Sequence, residues 1–418
     1  MFDLKDDEAR RPFELAEILR KLLKAPLSAQ DIEKTRGAID SATAQDAAMA
    51  IDALIAEGTA LPLLEAAVAK FINLLGSALG RREFVPEDPF LGSLVAENAE
   101  IRKALDSLRG PLAAINRAPR EAGTAAELLA AIREGLGRLG PIGIHYHKKE
   151  NILFPVFEKK YTHWRCVSLM WSLHDRVREE MTLVERIARE GAALDLASLN
   201  AATGRLFFAA FAIVFREERI LFPLVSTILS REERFDLYRE SRAMGFAFLD
   251  RAEIAVLEAE AEAEDFTHSL PSPAPVGLEG GGREGPRLPL DAGGLGLPVL
   301  DALLKALPVD LTFVDADDRV AWFSNGPQRI FPRSPSIIGR EVRNCHPASS
   351  VDRVMDIIES FRSGSRDREE FWIVHRGRFV YIRYVALRDA SGAYPGTLES
   401  SQDLTDQRGL EGEKRLAI

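Results

Sequence analysis

The sequence predicts a multidomain protein of the α and α+β class, in which helical domains precede an antiparallel five-stranded sheet. Residues 1 to about 250 are rich in Ala, Leu, Glu and Arg, and their apolar residues recur at three- and four-residue spacing. Near residue 297 the pattern changes to short alternating runs that are separated by turn sequences. Between the two lies a segment rich in Pro, Gly and Ser, from Ser269 to Gly296, which predicts a flexible linker.

Composition limits the possible partners and the cellular location. The chain has 418 residues, enough for two or three domains with cores of their own, and a formal net charge of −10. This charge argues against a nucleic-acid partner, because phosphate binding requires a basic surface. Cys166 and Cys345 lie in different predicted domains, so we expect reduced thiols and a cytoplasmic protein. Neither a signal peptide nor a membrane span is predicted from the apolar runs.

Breaks in composition mark the predicted domain boundaries, and the first of them lies inside the helical part. A run of Gly, Pro and charged residues from Gly80 to Pro89 ends a first group of helices. The predicted segments are a helical domain (1–84), a four-helix bundle (85–250), a helical tail and linker (251–296), a strand-rich domain (297–408) and a tail (409–418). The predicted strands are 309–315, 319–324, 370–375, 379–388 and 394–403, with a helix over 351–361.

One motif occurs twice in the predicted bundle. The sequence Lys-Glu-Asn-Ile-Leu-Phe-Pro at 149–155 returns as Glu-Glu-Arg-Ile-Leu-Phe-Pro at 217–223. Such a recurrence indicates repeated helical units that pack on each other. Together with His-Tyr-His-Lys-Lys-Glu at 145–150 and Met-Trp-Ser-Leu-His-Asp at 170–175, it is similar to the hemerythrin-like (HHE cation-binding) four-helix bundles.

The C-terminal motifs resemble those of PAS domains. They are Asn-Cys-His-Pro at 344–347, Glu-Phe-Trp-Ile at 370–373, Ile-Arg-Tyr at 382–384, Gly-Thr-Leu-Glu at 396–399 and Gln-Asp-Leu-Thr at 402–405. The order of the parts resembles a bacterial family with an uncharacterised N-terminal helical domain (domain of unknown function 438), a hemerythrin-like bundle and a C-terminal PAS domain. This resemblance covers nearly the whole chain.

A helical wheel places polar side chains in the middle of four apolar stripes, which is costly unless they have partners. The inward polar residues are Asn98, His145, Lys149, His174, Arg178 and Glu218. The same wheel places His147 and Glu150 on the outer, solvated face. Phenylalanines of the fourth helix are predicted to be core packing: Phe207, Phe208, Phe211, Phe215 and Phe222.

The hemerythrin resemblance implies seven ligand positions for two irons. These map to Asn98, His145, Lys149, His174, Arg178, Ile213 and Glu218. Since Lys149 and Arg178 add positive charge, a di-iron site is not expected. Three alternatives stay open: a single metal on His145, His174 and Glu218; a buried polar network of Asn98, Lys149, Arg178 and Glu218; or a small anionic ligand.

The PAS resemblance implies a pocket between the sheet and short helices that holds haem, flavin, a small acid or nothing. Cys345 and His346 precede the long helix, where either could ligate haem iron. Alternatively, His346 caps the helix or bonds a backbone carbonyl. Four aromatic residues are predicted to be core rather than ligand contacts: Trp322, Phe323, Phe331 and Trp372. His375, near a turn, is predicted to be exposed.

These features predict a soluble bacterial sensor or regulatory protein. Its PAS domain, its bundle or both would bind a small-molecule ligand or cofactor, and its output would act through a protein effector in trans. A homodimer is expected. No catalytic constellation was found, since the glycines at 280–282 and 293–296 lack the flanking elements of a phosphate loop. The alternatives are an iron-dependent oxygen-binding or redox protein and a structural adaptor with both pockets filled.

Overall fold

The computed structural model describes residues 6–80, 84–117, 122–160, 166–189, 195–263, 287–290, 292–326 and 329–413. The chain divides into two compact units, Met1–Phe266 and Thr267–Ile418. The first unit is helical and the second contains the sheets. This confirms the predicted fold class of helical domains followed by an antiparallel five-stranded sheet.

The first unit is built from helices. They are α1 (Asp6–Lys24), α2 (Ala29–Asp40), α3 (Ala44–Ala56), α4 (Leu61–Leu74), α5 (Gly76–Leu79), α6 (Pro89–Arg117), α7 (Ala122–Leu139), α8 (Ile142–Lys148), α9 (Phe154–Lys160), α10 (Cys166–Arg189), α11 (Leu196–Arg216), α12 (Phe222–Ile228), α13 (Arg231–Met244) and α14 (Arg251–Ala263). Two π-helical turns, π1 (Lys149–Leu153) and π2 (Glu217–Leu221), join α8 to α9 and α11 to α12.

Local sequence explains where several of these helices begin. Capping boxes start α2, α3 and α13, in which a Ser or Thr hydroxyl accepts from the third backbone N–H and an acidic side chain accepts in return. The predicted helical tail is α14. Thus the polar residues between apolar runs act as start signals for the helices that build the unit.

One continuous apolar core runs through the first unit. The predicted stripe of α6 is buried at Leu91, Leu94, Ile101 and Leu105. Helix α3 packs against π2 and against α10, so the N-terminal helices and the predicted bundle share this core. The domain boundary that we placed between residues 84 and 85 therefore stays a prediction.

The stretch Leu196–Ile228 is long and apolar enough, by length and composition, to cross a membrane. It consists of α11, π2 and α12, and it supplies Leu206, Ile213 and Val225 to the core. A core helix of a soluble protein passes the same test, so this is a weak indication of a span. The expectation that the chain has no membrane span stays a prediction.

The second unit holds a five-stranded antiparallel sheet and one long helix. Its elements are α15 (Leu297–Ala306), β3 (Asp310–Asp315), β4 (Val320–Phe323), α16 (Ala348–Arg362), β5 (Arg368–His375), β6 (Arg378–Leu387) and β7 (Gly396–Asp403), preceded by a small hairpin of β1 (Arg287–Pro289) and β2 (Gly294–Gly296). The sheet order is β4-β3-β7-β6-β5. All five predicted strands and the predicted helix are confirmed.

The linker and one aromatic prediction need correction. The hairpin of β1 and β2 forms the end of the predicted linker, whose residues 269–286 and 291 lie outside the described part. Trp372 is 63% exposed on the edge strand β5 instead of buried. His375 is half-buried and its ring lies 5.2 Å from that of Phe331, so it is not the exposed residue that we predicted.

Candidate functional site

Two π turns shape the centre of the helical unit, and proline explains their position. Pro155 and Pro223 each follow two residues after a π turn, inside a continuing helix. Proline has no N–H, and its ring would clash with the carbonyl four residues earlier in a regular α-helix. The chain widens instead, so that Phe154 N–H donates to Lys149 O and Phe222 N–H donates to Glu217 O, five residues back.

Glu217 lies at the centre of a buried polar network. The wider π2 turn directs its fully buried carboxylate into the bundle. Lys149 Nζ donates to its Oε1, and His145 Nε2 lies 3.4 Å from its Oε2. His174 Nε2 lies 3.9 Å from Oε1. Residues from α8, π1, α10 and π2 therefore converge on one carboxylate.

A second carboxylate, Glu97 of α6, closes one side of the network. His145 Nδ1 lies 2.7 Å from Glu97 Oε2, and the buried Lys148 donates to Oε1. The backbone N–H of Ala247 donates to the same Oε1 at 2.6 Å. Lys148 Nζ also lies 4.7 Å from the centre of the Phe246 ring. Glu97 thus holds the imidazole of His145 in place between two carboxylates.

Glu150 of π1 closes the other side. His174 Nδ1 lies 2.9 Å from its Oε1, and Arg178 Nη2 donates to both carboxylate oxygens at 2.7 and 2.8 Å. Tyr146 stacks on the His174 ring with centroids 4.0 Å apart. Lys149 Nζ lies 4.7 Å from the Tyr146 ring centre. Both imidazoles are therefore fixed by a carboxylate on Nδ1 and face Glu217 with Nε2.

The charges of the network balance. Three buried carboxylates, Glu97, Glu150 and Glu217, bond Lys148, Arg178 and Lys149 respectively. Burial opposes ionisation of Glu217, but Lys149 and the two imidazoles outweigh it and hold its pKa well below the usual range. Burial, together with the charge of Lys149, lowers the pKa of His174, which is neutral at neutral pH.

The structure corrects several predicted side-chain directions. Glu218 is half-buried and pairs with Arg102, so it faces neither Lys149 nor Arg178. Glu150 is buried instead of solvated, and His147 is half-buried with Nδ1 against the carbonyl of Gly143. A 100° wheel assumes an unbroken α-helix, and the π turns invalidate that assumption at Glu150 and at Glu217 and Glu218.

Asn98 also differs from its predicted role. It is completely buried on α6, as the wheel predicted, but neither of its amide atoms has a hydrogen-bond partner among the described residues. It lies beside the network without belonging to it. Sequence reasoning also missed Glu97, Tyr146, Lys148 and Glu217. The proline in each Ile-Leu-Phe-Pro motif was the available signal that the helix register changes there.

The bundle centre does not fit a metal. His145, His174 and Glu218 are not brought together, because Glu218 is turned towards Arg102. His145 and His174 instead meet at Glu217, where the Lys149 ammonium already occupies the carboxylate. Because the ammonium of Lys149 is bonded to Glu217, its positive charge would repel a metal cation at the same carboxylate. Within the described ranges, His, Cys, Asp and Glu form no group of three or more that could hold a metal ion.

We expect wild-type protein, purified without an affinity tag, to contain far less than one iron per chain. Its melting temperature should not change on addition of EDTA. In Lys149→Glu, which exchanges the opposing cation for a further carboxylate, added Fe²⁺ should raise the melting temperature. Elemental analysis and a thermal melt check both points. One or two irons per wild-type chain would contradict this account of Lys149.

The second unit carries a different polar site, on the inner face of its sheet. The register aligns Thr312 of β3, Glu399 of β7 and Tyr384 of β6 in one row, and Thr312 and Tyr384 are buried. Arg333 Nη2 lies 3.5 Å from Glu399 Oε2, and both side chains are nearly buried. Arg333 Nε has no hydrogen-bond partner among the described residues. A cation and an anion thus face each other in the interior between the sheet and the preceding segment.

The predicted haem residues lie at the edge of this interior. Burial lowers the pKa of His346 to about 4, while the charge of Glu399 opposes that shift. His346 is therefore neutral at neutral pH. Cys345 Sγ lies 3.6 Å from the carbonyl oxygen of Glu341, within its own helical turn. Haem ligation by either residue stays a prediction.

The fold and this interior define a multidomain protein whose C-terminal domain is of the PAS type. Residues 300–405 match the family model described as "PAS domain", so the chain contains a PAS domain and has, at the general level, a signalling or sensory role. A solved C-terminal domain from Streptococcus mutans is 34% identical; the match covers 30% of this chain and 98% of that chain, with a TM-score of 0.29. No curated protein matches the chain.

Proposed function

We propose that this protein is a cytoplasmic sensor whose PAS domain binds a small anionic molecule between its sheet and helices. The observation that carries the proposal is the guanidinium of Arg333, which is nearly buried and whose Nε has no acceptor in the part of the chain that the structure describes. A buried cation with a free donor is costly unless a ligand completes its hydrogen bonds. A carboxylate matches a guanidinium in shape and charge.

Glu399 is expected to limit the affinity of this site for an anion. Its carboxylate lies 3.5 Å from Arg333 and competes with an incoming anion for the same donors. Tyr384, which lies opposite Glu399 in the register, keeps its proton because burial raises the pKa of its hydroxyl. The hydroxyl is then a donor for an anionic oxygen. Binding of an anion would shift Glu399, which lies on β7, the last strand of the domain.

We propose that helices α6 to α12 are a hemerythrin-like bundle in which ion pairs replace iron. The support is the position of Lys149, which bonds the carboxylate on which both imidazoles converge. Three carboxylates match three cations in the described network, and this balance argues against an anionic ligand at the bundle centre. On this proposal the protein is a binding and interaction protein rather than an enzyme. Its output acts on a protein effector, and it forms a homodimer.

Small carboxylates test the PAS proposal directly. We expect acetate, succinate or citrate to raise the melting temperature of the full chain, with saturable binding in calorimetry. Arg333→Gln should abolish the effect, because it removes the charge that the anion bonds. Glu399→Gln should tighten binding, because it removes the competing carboxylate. Arg343→Gln, a change at an exposed residue of the same segment, is the matched control.

Two results would contradict the proposal. Carboxylate binding that is unchanged in Arg333→Gln would place the anion elsewhere in the chain. Absence of carboxylate binding, together with a Soret band that His346→Ala abolishes, would replace the anion with haem.

A further inference from the structure

The helical unit contains a cleft that neither the ion-pair network nor the PAS domain uses. Its volume is about 520 Å³, within the range of small-molecule sites. Helix α4 lines one side with Ala69, Ile72 and Asn73. Arg109 of α6 lies at the cleft as well, and α11 lines its other side. The α11 residues are Phe207, Phe208, Phe211, Ala212, Phe215 and Arg216. The walls are therefore mainly aromatic and aliphatic.

Phe208 corrects the prediction that the phenylalanines of this helix are all core packing. Its side chain is 61% exposed at the cleft, whereas Phe222, later in the same stretch, is fully buried. Phe207, Phe211 and Phe215 are half-buried. An exposed aromatic residue beside three half-buried ones leaves a continuous apolar surface that can contact a ligand.

Arg216 supplies a charge at the inner part of the cleft. Its residue is only 5% exposed, and Nη1 is buried without a hydrogen-bond partner among the described residues. Burial lowers its pKa to about 10, and only Glu65 opposes this. Glu65 is itself engaged, because it accepts from Ser172 and pairs with Arg176 Nη2 at 2.6 Å. Arg216 therefore carries its charge at neutral pH with an unused donor.

A second cation, Arg109, does not compete for this role. It is exposed, and its guanidinium carbon lies 5.6 Å from the ring centres of both Phe207 and Phe211. Cation–π contacts of this kind cover aromatic faces from solvent. Arg109 thus lies over two phenylalanines of the cleft, while Arg216 provides the buried donor.

We propose that this cleft binds an amphipathic carboxylate, a molecule with an apolar chain and one carboxylate group, of the fatty-acid class. The apolar chain would lie along the phenylalanines and Ile72, and the carboxylate would accept from Arg216 Nη1. A single negative charge fits better than two, because Glu65 lies close enough to act on Arg216. The site is independent of what the PAS domain binds.

Binding of dodecanoate to the full chain, measured by calorimetry, tests this proposal. We expect saturable binding to wild type, weaker binding of dodecanol and none of acetate. Arg216→Met should lower the affinity for dodecanoate on the order of tenfold or more and leave dodecanol unchanged, because only the charged hydrogen bond is lost. Its melting temperature should be kept or raised, since a buried cation without an acceptor is removed.

Two further variants keep the test decisive. Ala212→Trp should fill the cleft and weaken binding of dodecanoate and dodecanol alike. Arg205→Met is the matched control, because Arg205 lies on the same helix, is exposed and pairs with Glu180. The PAS variant Arg333→Gln should also bind dodecanoate normally. Equal dodecanoate affinity in wild type and Arg216→Met, or no dodecanoate binding to wild type, would overturn the proposal.

Discussion

Replacing Lys149 with methionine is expected to lower the free energy of unfolding by about 3–5 kcal/mol, because it leaves the carboxylate of Glu217 buried without its cation. Glu217→Leu should cost a similar amount, since Lys149 is then the uncompensated buried charge. The double variant Lys149→Met/Glu217→Leu should recover most of the loss, because apolar residues replace the whole pair. Chemical denaturation followed by far-UV circular dichroism reports on the helices of this unit.

Glu218→Gln is the matched control for this experiment. Glu218 is the next residue, but it pairs with Arg102 where both side chains are partly exposed. Exposed ion pairs contribute about 1 kcal/mol or less, so the free energy of unfolding should change little. If Glu218→Gln destabilised the protein more than Glu217→Leu, the register of π2 described above would be wrong.

Acid should destabilise the helical unit well above the pH at which exposed carboxylates titrate. The pKa of His174 is lowered from 6.5 by burial, so protonation of the unfolded chain favours unfolding once the pH falls below that value. The pKa of Glu150 falls from 4.5 to about 2, because His174 and Arg178 outweigh its burial. In both cases the unfolded chain binds more protons, so the free energy of unfolding falls as pH falls.

The size of this effect can be given for Glu150. A pKa lowered from 4.5 to about 2 corresponds to about 3 kcal/mol of stability at neutral pH, lost progressively between those two values. Denaturation at pH 7, 5.5, 4 and 3 measures the slope. Lys149→Met/Glu217→Leu should show a shallower slope, and Glu218→Gln should match wild type. A stability that stays constant from pH 7 to pH 4 would contradict the buried network.

Several features followed from the sequence because they depend on local patterns. The five strands of the PAS domain were predicted from alternating residues, and their turns from Gly and Asp. The turn at Arg376 and Gly377, for example, requires positive φ at both residues, and it joins β5 to β6 as a two-residue hairpin. The apolar stripe of α6 was likewise predicted, because Leu91, Leu94, Ile101 and Leu105 follow α-helical spacing ahead of Pro111.

The bundle centre shows where local patterns fail. The helical wheel placed Lys149, His145 and His174 in the interior, where the structure has them. It also placed Glu218 in the interior instead of Glu217, and it placed Glu150 on the solvated face. Each error lies in a π turn, where adjacent residues can both face the core. That Lys149 opposes a metal stays a prediction, and the three carboxylates that balance the cations were not foreseen, because two of them depend on that change of register.

The sequence by itself determined the fold class, the strand order along the chain and the presence of buried polar residues in the helical unit, since these follow from hydrophobic periodicity and from motifs. It did not point to Arg333 and Glu399. Only the tertiary structure decided which acids face inward and which arginines, Arg216 and Arg333 among them, keep an N–H donor without a partner among the described residues. The direction of Glu217 depends on the π turn that precedes Pro223, and the position of Arg216 at a cleft depends on how α4 and α11 are placed. The π turn has a local signal in proline, but the partners of Glu217 come from other helices. The cleft is a long-range consequence of packing, which no spacing along the chain encodes.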